Sequence, residues 1–169
     1  MISPVVTTPS GRVILGSDSP TAFAGPLTCQ LLLDGQTTGG FSAVKHTLAP
    51  HTLGAPLHRH SREREFSIIT AGRITALLND AIVEANVGDV IVKPQGQWHT
   101  FWNAGDTSAE LIELIVPGGF ETYFVEMDAL LRASAVPDLA AIAALAERFG
   151  LDVRPESIPD LCGTHGLAF

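Results

Sequence analysis

From Leu27 to Val116 the chain is a succession of short apolar or alternating runs. They read TCQLLL, GFSAVKHTL, EFSIIT, RITALL, AIVEANV, DVIVK, HTFW and AELIELIV. Between them stand DGQTTGG, PHTLG, AG, ND, GD, PQG and NAGD, segments rich in residues that turn a chain. Many short strands at regular spacing predict an all-β sandwich or barrel. RITALL and AIVEANV, joined at Asn79-Asp80, are expected to form a hairpin.

Beyond Pro117 the period changes. Phe120, Tyr123, Phe124, Met127, Leu130 and Leu131 recur at helical spacing. A second helix is signalled by Pro137-Asp138 ahead of Leu139, Ile142, Leu145 and Phe149, with Gly150 as its stop. Both stripes are read as faces packed on the barrel, and residues 151–169 as loop. The expected organisation is an N-terminal arm over 1–26, a barrel over 27–117 and a helical extension over 118–169, all in one domain.

Composition narrows the function classes. Of 169 residues, 46% are hydrophobic and 17% charged, so the chain can bury a real core. The net charge is −8 and no block of lysine and arginine occurs, which argues against nucleic acid or an anionic membrane as partner. No apolar run reaches the roughly 20 residues needed to span a bilayer. MISPVVTTPSGRV lacks a basic start followed by an apolar run, so a cytoplasmic protein with Cys29 and Cys162 reduced is expected.

Two of the six histidines, His58 and His60, stand two residues apart at the start of a strand. On a strand such residues share a face, so both imidazoles can reach one ion. Glu65 opens the next strand and can turn back toward them, with Glu63 of the same parity as an alternative. His99 lies far downstream, just after a Pro-Gly turn. Three imidazoles and one carboxylate form a mixed nitrogen and oxygen set suited to a divalent transition metal such as Fe, Mn, Ni or Zn. A histidine pair alone is equally at home in an ordinary core; it is the flanking turn residues that distinguish this one. Arg59, between the pair, is expected to point away. Arg62 and Arg64 read as surface charges, and His46, His51 and His165 as ordinary histidines.

HxHxxxxE with Gly72 after six further residues, and G-x5-P-x-G-x-x-H-x3-N from Gly88 to Asn103, resemble the two motifs of the cupin superfamily. The second matches at Gly88, Pro94, Gly96, His99 and Asn103. The first matches at His58, His60, Glu65 and Gly72 but departs at its start, where Thr52 stands at the family's glycine and Gly54 lies two places later. The flanks TTGGFSA and VPGGFETYF are similar to single-domain quercetin dioxygenase-like cupins. The resemblance implies a double-stranded β-helix barrel with two C-terminal α-helices, and a metal held by His58, His60, Glu65 and His99. It also implies a dioxygenase in which an enol or phenol oxygen of the substrate meets the metal, Glu65 takes its proton and O₂ reacts with the activated ring.

Phe101 shares parity with His99 and is expected to line the pocket; Phe41, Trp98 and Trp102 are further candidates. Two other readings stand beside the dioxygenase: a non-redox isomerase, cyclase or decarboxylase, and a small-molecule binder without turnover. Open sheet edges and the N-terminal arm lead to the expectation of a homodimer.

Overall fold

The computed structural model describes residues 5–8, 11–14, 19–23 and 25–169. The arm expected over residues 1–26 therefore lies partly outside the described residues. Within it, β1 (Val5–Thr8) and β2 (Gly11–Ile14) pair with each other.

Two antiparallel sheets form the barrel. The first runs β10 (Ala81–Asn86), β9 (Arg73–Leu78), β12 (His99–Asn103), β7 (Leu57–His60), β14 (Leu151–Arg154), with β6 (Thr52–Leu53) also on β12. The second runs β11 (Val90–Lys93), β8 (Arg64–Ala71), β13 (Ala109–Val116), β5 (Ser42–Leu48), β4 (Leu27–Leu33), β3 (Thr21–Ala22). Period-two burial sets the inner face: Glu65, Ser67 and Ile69 of β8 point in, as do Ala109, Leu111, Glu113 and Ile115 of β13. Ile74, Ala76 and Phe101 from one sheet meet Leu48, Ile69 and Leu111 from the other in one buried cluster.

Local chemistry explains the turns. The expected hairpin is present: Leu78 pairs with Ala81, and Asn79 takes a positive φ of 52°, which asparagine tolerates. Gly72 joins β8 to β9 at φ 66°, and a Cβ there would lie 2.9 Å from the Ser108 carbonyl oxygen. Gly54, the glycine displaced from its place in the first motif, has its own reason. A Cβ on it would lie 2.5 Å from the Phe101 ring.

Among the described residues four helices complete the molecule: α1 (Gly35–Thr38), α2 (Glu121–Ala133), α3 (Leu139–Arg148) and α4 (Ser157–His165). Asp138 caps α3 by accepting from the Ala140 and Ala141 amides. Both predicted helices are found, although Leu131 and Leu139 end up exposed rather than packed. The larger difference lies in residues 151–169, read as loop. Leu151–Arg154 is a strand against β7, with Leu151 opposite His60 and Val153 opposite His58. Ser157–His165 is helical, so the C-terminal extension holds three helices rather than two. LDVR is too short to show a period, and α4 has only nine residues. Among the described residues no helix is long and apolar enough to cross a membrane.

Candidate metal centre

β7 turns His58 and His60 to one face, and β12 places His99 opposite His58 in register. Glu65 comes from β8 in the other sheet, so the four side chains meet across the barrel interior. All four are buried, and their ligand-type atoms lie within 4.8 Å of one another. Each of the expected ligands is in this one cluster.

The hydrogen bonds around the rings say what the cluster lacks. His58 Nδ1 donates to the Pro56 carbonyl at 2.8 Å, and His99 Nδ1 to the Gln97 carbonyl at 2.9 Å. A carbonyl can only accept, so Nδ1 carries the ring proton in both. Burial holds both imidazoles below their ordinary range, which keeps them neutral and leaves Nε2 bare. Yet His99 Nε2 lies 3.2 Å from Glu65 Oε2, acceptor against acceptor. His60 Nε2 lies 3.4 Å from Glu65 Oε1, and among the described residues neither ring nitrogen of His60 has a hydrogen-bond partner. A cation resolves this conflict. Donors each about 2.1 Å from one ion sit roughly 3.0–3.4 Å from their neighbours, and both contacts to Glu65 are of that size. The residues present therefore fit a divalent transition metal.

Outer contacts fix the orientation. The Nδ1–carbonyl bonds of His58 and His99 are the kind that hold metal-binding histidines in one tautomer. His60 has Glu63 on that side, with Nδ1 3.4 Å from Oε2. Glu63 thus sits behind a ligand rather than among the ligands.

The sequence reading missed the other half of the site. Lys93 Nζ lies 2.8 Å from Glu65 Oε2 and 2.7 Å from Glu113 Oε2, all three side chains being buried. Ser67 Oγ donates to Glu113 at 2.9 Å. Burial alone raises the Glu65 carboxyl, but the Lys93 ammonium beside it outweighs this and holds it well below the carboxylate range. Burial pushes Glu113 up to about 7, against the pull of Lys93. His46, read as ordinary, is deep in the barrel. It meets the Cys29 thiol at 2.9 Å, and burial together with the nearby Lys93 charge lowers it to about 4.

The aromatic candidates part company. Phe101 lies inside, 5.7 Å from the His46 ring and 5.4 Å from Lys93 Nζ. Trp98 and Trp102 do not reach the cluster, because they alternate with His99 and face the other way. Trp98 stacks under Arg59 and Arg154, while Trp102 packs with Leu53, Leu161 and His165 on the outside. Phe41 is exposed, with its backbone beside Gly118. Phe120 covers His60 instead: its ring stands 4.5 Å from that imidazole, with Tyr123 and Phe124 behind it.

Residues 44–115 match the family model described as Cupin domain, a segment that runs from β5 to β13 and holds all four candidate ligands. Solved structures of similar shape include a sugar phosphate isomerase from a cupin superfamily of Silicibacter pomeroyi. It is 19% identical, with 59% of this chain and 72% of that one covered and a TM-score of 0.52. A predicted oxalate decarboxylase from Thermotoga maritima is 23% identical over 62% of this chain and 98% of its own, with a TM-score of 0.57. Pac13, a nucleoside dehydratase from Streptomyces, is 16% identical over 64% and 83%, with a TM-score of 0.53. No curated protein matches the chain in sequence. The chain has the cupin fold.

Proposed function

We propose that this chain is a metal-dependent enzyme acting on a small, flat or aromatic molecule, and that its reaction is a quercetinase-like dioxygenation. The observation that carries the metal is the bare Nε2 of His99 facing Glu65 Oε2 at 3.2 Å. The aromatic character of the substrate is supported by the Phe120 ring beside His60 and the Phe101 ring beside Lys93. Lys93, the cation beside the ligands, does not favour a phosphate, since two carboxylates already share it.

His58, His60, Glu65 and His99 would hold the ion. A bound transition ion supplies Lewis acidity toward a substrate oxygen and, if redox-active, a route for electrons to O₂. The protein's own part is proton handling and exclusion of water. Glu65 is held ionised by Lys93 and so is a weak base; it takes a proton only from an oxygen that has been acidified. Phe120 keeps water from the His60 imidazole.

The Glu65–Lys93 pair favours a second reading. A carboxylate and an ammonium side by side can move a proton without O₂, as isomerisation or decarboxylation requires. Oxygen uptake with the Fe, Mn or Ni form on a panel of flavonols and catechols supports the first reading. Metal-dependent turnover without oxygen uptake favours the second.

We also infer that two copies pair through the edge strands β10 and β11, where Ile82, Val90 and Val92 are exposed. Light scattering at micromolar concentration is expected to give twice the chain mass of 17.9 kDa, and a monomer mass contradicts it.

A further inference from the structure

Lys93 is the last residue of β11, and its register partner on β8 is Glu65. Its ammonium is therefore delivered to that carboxylate by the sheet itself. Glu113 enters from β13, where it lies opposite Ser67, and the Ser67 hydroxyl holds it from the far side. The result is a fixed row of hydroxyl, carboxylate, ammonium and carboxylate that ends on a candidate ligand. Three buried charges are costly to desolvate, and apolar residues of similar volume would fill the same space about as well.

The two oxygens of Glu65 are consequently unlike. Oε2 is engaged by Lys93 at 2.8 Å, a charge-assisted hydrogen bond of full strength. Oε1 faces His60 Nε2 at 3.4 Å, while Oε2 faces His99 Nε2 at 3.2 Å as well as the ammonium. A second cation approaching Oε2 meets the ammonium charge at close range, whereas Oε1 offers the same carboxylate from farther away.

We propose that Lys93 is a positioning residue that holds Glu65 by Oε2 and so competes with a metal ion for that oxygen. This rests on the metal reading of the cluster. Glu113 governs how firmly the hold is applied, because it shares the same ammonium. Lys93 thus restrains metal affinity while it fixes ligand geometry. A residue that merely supports the fold would have the opposite effect on affinity when removed.

The test is a Co²⁺ titration of the purified full chain, read by visible absorption and by competition with a chelator. Lys93→Met frees Oε2 and removes a positive charge, so Co²⁺ is expected to bind about tenfold more tightly. The visible spectrum of bound Co²⁺ is expected to change, as the carboxylate gains a second donor oxygen. Glu113→Gln gives the ammonium wholly to Glu65, and Co²⁺ is expected to bind more weakly. Unchanged or weaker binding by Lys93→Met, with the parent's spectrum, overturns the proposal. If Lys93→Met does not fold, Glu113→Gln decides: weaker binding supports the proposal, and equal or tighter binding overturns it. A parent chain that takes up no Co²⁺ overturns the metal reading and this proposal with it. A parent that binds while neither variant differs overturns this proposal alone.

Discussion

At the scale of single residues, the centre is defined by where protons can and cannot be. His58 and His99 spend their ring protons on backbone carbonyls, and Glu63 stands ready to take that of His60. Glu63→Ala leaves the ligand set intact but unties His60. About a tenfold loss of metal affinity is expected, with the far-UV circular dichroism unchanged; parent-like affinity would remove Glu63 from the site. The four candidate ligands were legible in the sequence because each sits at a position marked by its neighbours: a shared strand parity, a Pro-Gly turn, a glycine at a set distance. Lys93 and Glu113 carried a fainter signal. Glu113 shares parity with Leu111 and Ile115, so a charge stood on the apolar face of a strand. Lys93 alternates with Ile91 in the same way. Neither could be paired with Glu65 without the register between β8, β11 and β13, and that register is set by contacts far apart in the chain. Without an ion, Glu65 is still compensated, because Lys93 balances it.

At the scale of elements, the barrel strands were legible from short runs and turn residues, and the hairpin at Asn79-Asp80 needed no more than its two-residue turn. The C-terminal segment was less legible. β14 exists because β7 presents an edge to pair with, not because LDVR favours a strand by itself. The pocket lining was hidden for a related reason. Trp98 and Trp102 are large and close to His99 in sequence, yet strand alternation turns them outward, while Phe120 arrives at His60 from the start of α2. Phe120 is buried and touches a candidate ligand. Phe120→Ala is expected to cost about 3–5 kcal/mol, which is roughly 10 °C in Tm for a chain of this length. It should also speed removal of bound metal by a chelator. A variant with parent-like Tm and parent-like chelation rate would show that Phe120 does not cover the centre.

At the scale of the whole molecule, buried histidines link stability to pH. His46, His58 and His99 are held below the ordinary value of 6.5, chiefly by burial, and His46 reaches about 4. Below pH 6.5 the unfolded chain takes protons that the fold refuses, so stability is present above that pH and is lost as pH falls. Glu113 opposes this between about 7 and 4.5, where only the fold keeps its carboxyl protonated. Three histidines outweigh one glutamate, and Glu65 adds a further loss below its ordinary value of 4.5. The Tm of the metal-free protein is therefore expected to fall steadily from pH 7.5 to 5, and a flat or rising Tm contradicts the buried neutral imidazoles. Protonation also removes the ligand lone pairs, so metal should leave only at the lower pH where the buried rings take protons. The functional reading depends on one claim, that four side chains from two sheets bind one ion as a unit. The direct measurement is metal content per chain after incubation with Mn, Fe, Ni and Zn, on protein purified without an affinity tag, beside His99→Ala. The account predicts about one ion per parent chain, most of it lost in His99→Ala while the circular dichroism stays that of the barrel. A parent that remains metal-free, or a His99→Ala variant that holds metal as tightly as the parent, contradicts it.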